Sequence, residues 1–116
     1  MRKEELNQLC IIIKERVQAQ EYMIAEKEID DVMGRYPHSP IPHNLMGILL
    51  EAQHSHTLAM KHFRAAYALD PTYAPAQYNL DRCCAFYQEG IIAYEEQDCP
   101  RHKQLESPIQ VEVLFA

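Results

Sequence analysis

Apolar residues recur at spacings of three and four through most of the chain. Leu6, Leu9, Ile13 and Val17 form one such stripe and predict a helix over residues 3–18. A short turn at Ala19-Gln20-Glu21 leads to a second predicted helix, 22–35, and Pro37-His38-Ser39-Pro40 then breaks the chain. A third helix is predicted over about 42–53 and a fourth over about 57–69. Asp70-Pro71-Thr72 makes the next turn, with Thr72 as a helix cap. A fifth helix begins at Tyr73 or Ala74, with Pro75 in its first turn, where proline is tolerated. It continues at least to Gln88; Gly90 either bends it or lets it run to Gln97 before Asp98-Cys99-Pro100 ends it. From about Arg101 the pattern changes. Ser107-Pro108 breaks any helix, and Ile109, Val111, Val113 and Phe115 alternate with their neighbours as in a strand.

A 34-residue register underlies the helical part. Ala25, Ala59 and Ala93 lie 34 apart, as do Pro37 and Pro71. The best-formed unit reads His43-x2-Met46-Gly47-x2-Leu50, then Ala59-x3-Phe63, and closes on Leu69-Asp70-Pro71. Over residues 40–73 this resembles the tetratricopeptide repeat, with His43 in the place of its tryptophan. Gly47 and Ala59 are small where two helices approach, Phe63 fills the space they leave, and Pro71 ends the second helix. The flanking units, 6–39 and a partial 74–97, are weaker matches. Ile13 and Asp81 stand in the glycine position, and Pro100 falls where a small helical residue belongs. The resemblance implies an all-α fold: a right-handed stack of helical hairpins, about five helices, forming one domain over residues 1–100, with an extended tail over 101–116. The tail has three readings. It lies in the groove of its own or a neighbouring chain, pairs edge to edge with another copy, or is foreign, since Glu112-Val113-Leu114-Phe115 is similar to a common viral protease cleavage tag.

Composition bounds the function. A chain of 116 residues with 47% apolar residues suits one small domain with a core. The formal net charge of -6 argues against nucleic acid, whose phosphates call for a basic stripe. No apolar run of ~18 residues is present, so no membrane partner is expected. The run Leu9 to Ile13 is too short and too soon broken by Lys14-Glu15-Arg16 for a signal peptide, so a cytoplasmic protein is expected. Cys10, Cys83, Cys84 and Cys99 lack any Cys-x-x-Cys spacing and read as free thiols in a reducing compartment, in keeping with that. His54, His56 and His62 cluster in sequence and raise a metal hypothesis. No acid or cysteine in the sequence pattern completes a ligand set, so they read as turn and surface histidines, and no metal or other cofactor is expected. No nucleophile–base spacing or phosphate loop appears, and an enzyme is not expected.

In the tetratricopeptide family the first helix of each pair lines a concave face. The resemblance places Asn7, Cys10, Ile11, Lys14 and Gln18 there in the first unit. Ile41, Asn44, Leu45, Ile48 and Glu51 follow in the second, and Tyr78, Asn79, Arg82 and Phe86 in the third. Of these, Asn7, Ile11, Lys14, Asn44, Leu45, Ile48, Tyr78, Asn79, Arg82 and Phe86 are the candidate peptide-binding residues. Asparagines can hydrogen-bond a peptide backbone, apolar patches take side chains, and Lys14 and Arg82 are cations. The lining lacks the spacing of a carboxylate clamp. The expected function is therefore a protein-interaction adaptor that holds a peptide or helix. The alternative is a self-assembly module, a homodimer among the possibilities, because Ile91, Ile92 and Tyr94 are too apolar for an exposed end of the stack.

Overall fold

The computed structural model describes residues 2–84 and 92–99. Five helices follow in order: α1 Arg2–Gln18, α2 Tyr22–Arg35, α3 Pro40–Ala52, α4 His56–Leu69 and α5 Ala74–Cys84, with a 3₁₀ turn at Glu96–Asp98. No strand occurs among the described residues. The fold is all-α, and none of these helices is long and apolar enough to cross a membrane.

Local chemistry sets the helix ends. The sequence pattern starts α3 at about residue 42, because Pro37-His38-Ser39-Pro40 reads as a breaker. Instead Pro40 occupies the first helical position, where its missing N–H is no loss, and the Ser39 hydroxyl accepts the Ile41 N–H at 3.2 Å. The side chain of Thr72 does not point forward as a cap. It donates to the Asp70 carboxylate at 2.6 Å, which also accepts the Thr72 N–H at 3.0 Å and so fixes the α4–α5 turn.

The first two helix pairs repeat each other at an interval of 34 residues. Tyr22 and His56 open α2 and α4, Gln18 and Ala52 close α1 and α3, and Arg35 and Leu69 close α2 and α4. The turn hydrogen bonds repeat with them. Glu21 N–H donates to the Arg16 carbonyl as Ser55 N–H does to Leu50, and Tyr36 N–H donates to Val32 as Asp70 N–H does to Ala66. Gln20 and His54 occupy the same place in successive turns, and both adopt left-handed backbone, with φ of 62° and 66°. For a residue with a Cβ that conformation costs about 1–2 kcal/mol, so its recurrence marks a geometry imposed by the turn.

The core shows the same equivalence with sizes exchanged. A Cβ on Gly47 would lie 2.5 Å from the Phe63 ring, which is fully buried, so the glycine is the space the ring occupies. In the first unit the equivalent pair is Ile13 and Ile29, both fully buried. One large and one absent side chain in the second unit are thus replaced by two of middle size in the first, as close packing requires. Asp81, at the third equivalent position, is solvent-exposed.

The helices pack in an ordered way. α3 touches α1, α2, α4 and α5, whereas α2 and α4 do not meet, so α1, α3 and α5 adjoin in succession along one side. The main core draws Leu9, Ile13, Ile29, Leu45, Leu49 and Phe63 from the first four helices, and it also takes Tyr94 from the far end of the chain.

The chain after α5 departs from the sequence expectation. Residues 92–95 are not helical, so the fifth helix does not run to Gln97. Ala93, which the 34-residue register places on a helix, lies outside any helix, fully buried. The expected continuation to Gln88, the bend at Gly90 and the strand-like tail after Arg101 lie outside the described residues.

One pair of side chains makes stability depend on pH. His43 on α3 and His62 on α4 stack with ring centroids 5.3 Å apart and Nδ1 atoms 3.1 Å apart, so in the neutral pair one nitrogen donates and the other accepts. This corrects the reading of His62 as a surface residue. Burial holds both imidazoles below the ordinary histidine range, and for His62 the charge of His43 adds to it. The unfolded chain therefore takes up protons at a higher pH than the folded one. The contribution of the pair to stability is full above the ordinary histidine pKa of about 6.5 and declines as pH falls below it. Glu5, held below its ordinary range by the Tyr36 hydroxyl and then by Arg35, acts in the same direction only at lower pH, below the ordinary carboxylate range. We expect the melting temperature to fall between pH 7.5 and 5.5, and the fall to be reduced in His62→Gln. An equal fall in both proteins would exclude the pair as its source.

Candidate functional site

The side formed by α1, α3 and α5 is partly covered by the chain itself. Residues 92–99 lie across it, fixed by two fully buried asparagines 35 residues apart, Asn44 and Asn79. The Asn79 amide donates to the Ala93 carbonyl at 2.7 Å, and the Asn79 carbonyl accepts the Ala93 N–H at 2.8 Å. One carboxamide thereby satisfies both backbone groups of one residue, as a neighbouring strand would. The Asn44 amide also donates to the Ala93 carbonyl, at 3.1 Å, and its own carbonyl accepts from Asn79 at 2.9 Å, which orients the second side chain. These bonds read backbone, not side chain.

Side chains of the segment then find their places. Tyr94 is buried against the core, and Lys14 Nζ lies 5.7 Å from its ring centre, within cation–π range. Burial raises the Tyr94 phenol above its ordinary range. Ile92 packs partly buried on the same core. The turn that follows closes on itself, with the Asp98 carboxylate accepting the Tyr94 N–H at 3.0 Å and the Glu95 N–H at 3.3 Å. Cys10 lies beneath it. Burial first, then the Glu95 and Asp98 carboxylates and offset in part by a hydrogen bond from Tyr73, pushes the Cys10 thiol up to about 12. Cys99 is pushed up to about 11 by burial and then by Asp98 and Glu96. Both are protonated at neutral pH, and a protonated thiol is a poor nucleophile.

Beside the segment an open pocket of ≈ 500 Å³ remains, lined by Lys14, Ile48, Glu51, Arg82, Ile92 and Tyr94 among others. Lys14, Ile48 and Arg82 are spaced by 34 residues, so one position of the alternate helices α1, α3 and α5 supplies a cation, an apolar surface and a cation along the same wall.

The structure thus brings Lys14, Asn44, Ile48, Asn79 and Arg82 together around segment 92–99. Leu45 is fully buried in the core, where it touches no open groove. Tyr78 is half-buried, and burial raises its phenol, with Arg82 opposing and Cys99 adding to the rise. Asn7 and Ile11 stand exposed on α1 and do not line the pocket. Phe86 lies outside the described residues. Neither Ala93 nor Tyr94 was legible as a site residue. The signal was the apolar run Ile91-Ile92-Ala93-Tyr94 after the last good helix, read from sequence as an exposed end.

The histidine cluster also differs from the sequence reading. His54 and His56 are exposed at the α3–α4 turn, but Glu51 and Cys83 converge on His56. The acid and the cysteine that the sequence pattern lacks come from the preceding helix and from α5. No family model, curated protein or solved structure matches the chain.

Proposed function

We propose that this chain is a tetratricopeptide-like interaction module whose concave face holds an extended peptide, and that residues 92–99 occupy that face in place of a partner. The observation that carries the reading is the paired contact of the Asn79 carboxamide with both backbone groups of Ala93. A side chain that satisfies the N–H and the C=O of one residue suits any extended backbone, and flanking pockets then choose the side chains. The 34-residue recurrence of helix ends, turn hydrogen bonds and left-handed turn residues supports the repeat assignment, as does the succession of α1, α3 and α5 along one side. Tyr94 and Ile92 pack within the chain's own groove, which removes much of the reason to expect assembly through an exposed apolar end.

The module performs no chemistry in this account; it recognises and holds. A labelled peptide with the sequence of residues 91–98 tests it. Ala93→Pro removes the N–H that Asn79 accepts and weakens the internal segment's hold. The full chain carrying Ala93→Pro is expected to bind the added peptide at least about tenfold more tightly than the wild type, and Asn79→Ala in the same background to lose that gain. Equal weak binding by all three proteins would exclude the groove as a peptide site. Solution mass separates this reading from the self-assembly alternative, in which segment 92–99 of one copy fills the groove of another. A monomer at all concentrations excludes the exchange.

A further inference from the structure

Glu51 stands in the last turn of α3, His56 opens α4, and Cys83 lies in the last described turn of α5. Their side chains converge. His56 Nδ1 is 2.6 Å and Cys83 Sγ 3.2 Å from the same Glu51 oxygen, and all three atoms lie within 4.8 Å of one another. We propose that these three residues form a binding site for a transition-metal dication of the zinc class, tying the α3–α4 turn to α5.

The geometry fits. Bonds of about 2.0–2.1 Å to nitrogen and oxygen and about 2.3 Å to sulfur put the ligands of a tetrahedral ion roughly 3.3–3.6 Å apart. The two separations from the Glu51 oxygen, 2.6 Å and 3.2 Å, fall just short of that range, and rotation of the half-exposed His56 side chain lengthens the first. The donor types also fit. One sulfur, one imidazole and one carboxylate select a borderline ion such as Zn²⁺ over magnesium or calcium, which take oxygen. Cys83 is 6% exposed, so its sulfur is fixed by packing, whereas His56 opens to solvent and leaves a path of entry. The three protein ligands leave a fourth position for water. On binding, the Cys83 thiol gives its proton to the buffer, and the thiolate, the carboxylate and the dication sum to zero charge. Because Glu51 also lines the open pocket of the groove, the ion would fix one of that pocket's walls.

Co²⁺ is the probe, titrated into the full chain under reducing conditions. The expected result is one saturable equivalent with thiolate-to-cobalt charge-transfer absorption and intense tetrahedral ligand-field bands, both removed by one equivalent of Zn²⁺. Cys83→Ser is expected to abolish the charge-transfer band. His56→Gln, a change at an exposed position that leaves folding intact, is expected to weaken binding at least about tenfold. Helical circular dichroism checks that each variant is folded. The proposal is overturned by the absence of saturable binding, by bound Co²⁺ without a thiolate band, or by a band that persists in Cys83→Ser. It is equally overturned if His62→Gln rather than His56→Gln removes the binding, since the stacked His43–His62 pair would then be the site.

Discussion

Phe63→Ala is expected to lower stability by about 3–5 kcal/mol, a large fraction of the roughly 5–15 kcal/mol that holds a domain folded. Phe63 is fully buried, and its ring occupies the volume that a side chain at Gly47 would need. The same fit gives the reverse substitution its sign. Gly47→Ala gains about 0.5–1 kcal/mol of helix propensity, yet its Cβ meets ring atoms at 2.5, 2.7 and 2.8 Å. The ring has no free volume to enter, so overpacking costs about 1–3 kcal/mol and outweighs the gain. Phe63→Leu in the Gly47→Ala background relieves the clash and restores part of the loss, whereas the two changes made separately both destabilise. Urea unfolding of the four proteins measures the coupling. A Gly47→Ala protein more stable than the wild type would show that α3 and α4 are not in this contact. The contact bears on function because it sets how α3 presents Asn44 and Ile48 to the groove.

Asn79→Ala is expected to release residues 92–99 and leave the first four helices folded. The substitution removes three hydrogen bonds, those to the Ala93 N–H, the Ala93 carbonyl and Asn44. Each group left buried without a partner costs about 1–3 kcal/mol, so the segment leaves for water. Its departure uncovers Cys10 and Cys99, removing the burial that is the first cause of their raised pKa values of about 12 and about 11, and it also takes Glu95 and Asp98 away from Cys10. A return of Cys99 from about 11 toward the ordinary cysteine value of about 9 raises its thiolate fraction on the order of 100-fold at neutral pH. Thiol-specific labelling at pH 7.5 with site identification by mass spectrometry should then show both cysteines modified in the variant and protected in the wild type. Unchanged protection in Asn79→Ala would mean that packing of Tyr94 alone holds the segment.

The sequence made the first four helices legible because their boundaries depend on neighbours. Proline, serine and the turn residues at 37–40 and 70–72 act within one or two positions of where they stand. The exception, the start of α3, arose because Pro40 reads as a breaker and serves instead as a first helical residue behind a serine cap. The site was half legible. Lys14, Asn44, Ile48, Asn79 and Arg82 followed from the tetratricopeptide resemblance, and the 34-residue register that carries it is visible along the chain. Their occupant was not. Ala93 lies 14 residues beyond Asn79 and 49 beyond Asn44, and its non-helical backbone depends on those distant carboxamides rather than on any local pattern. The Glu51, His56 and Cys83 cluster was illegible for the same reason, since its sulfur stands 32 residues from its carboxylate.

The central claim is that the concave face grips a peptide backbone, and the Ala93 amide reports on it directly. Ala93 stands outside the described helices, and among the described residues its buried N–H donates to the Asn79 carbonyl rather than to a helical one. Hydrogen exchange followed by NMR on the full chain should find the Ala93 amide exchanging far more slowly than an unstructured one, with that protection lost in Asn79→Ala while the α1–α4 amides keep theirs. An Ala93 amide that exchanges at the unprotected rate in the wild type would contradict the account.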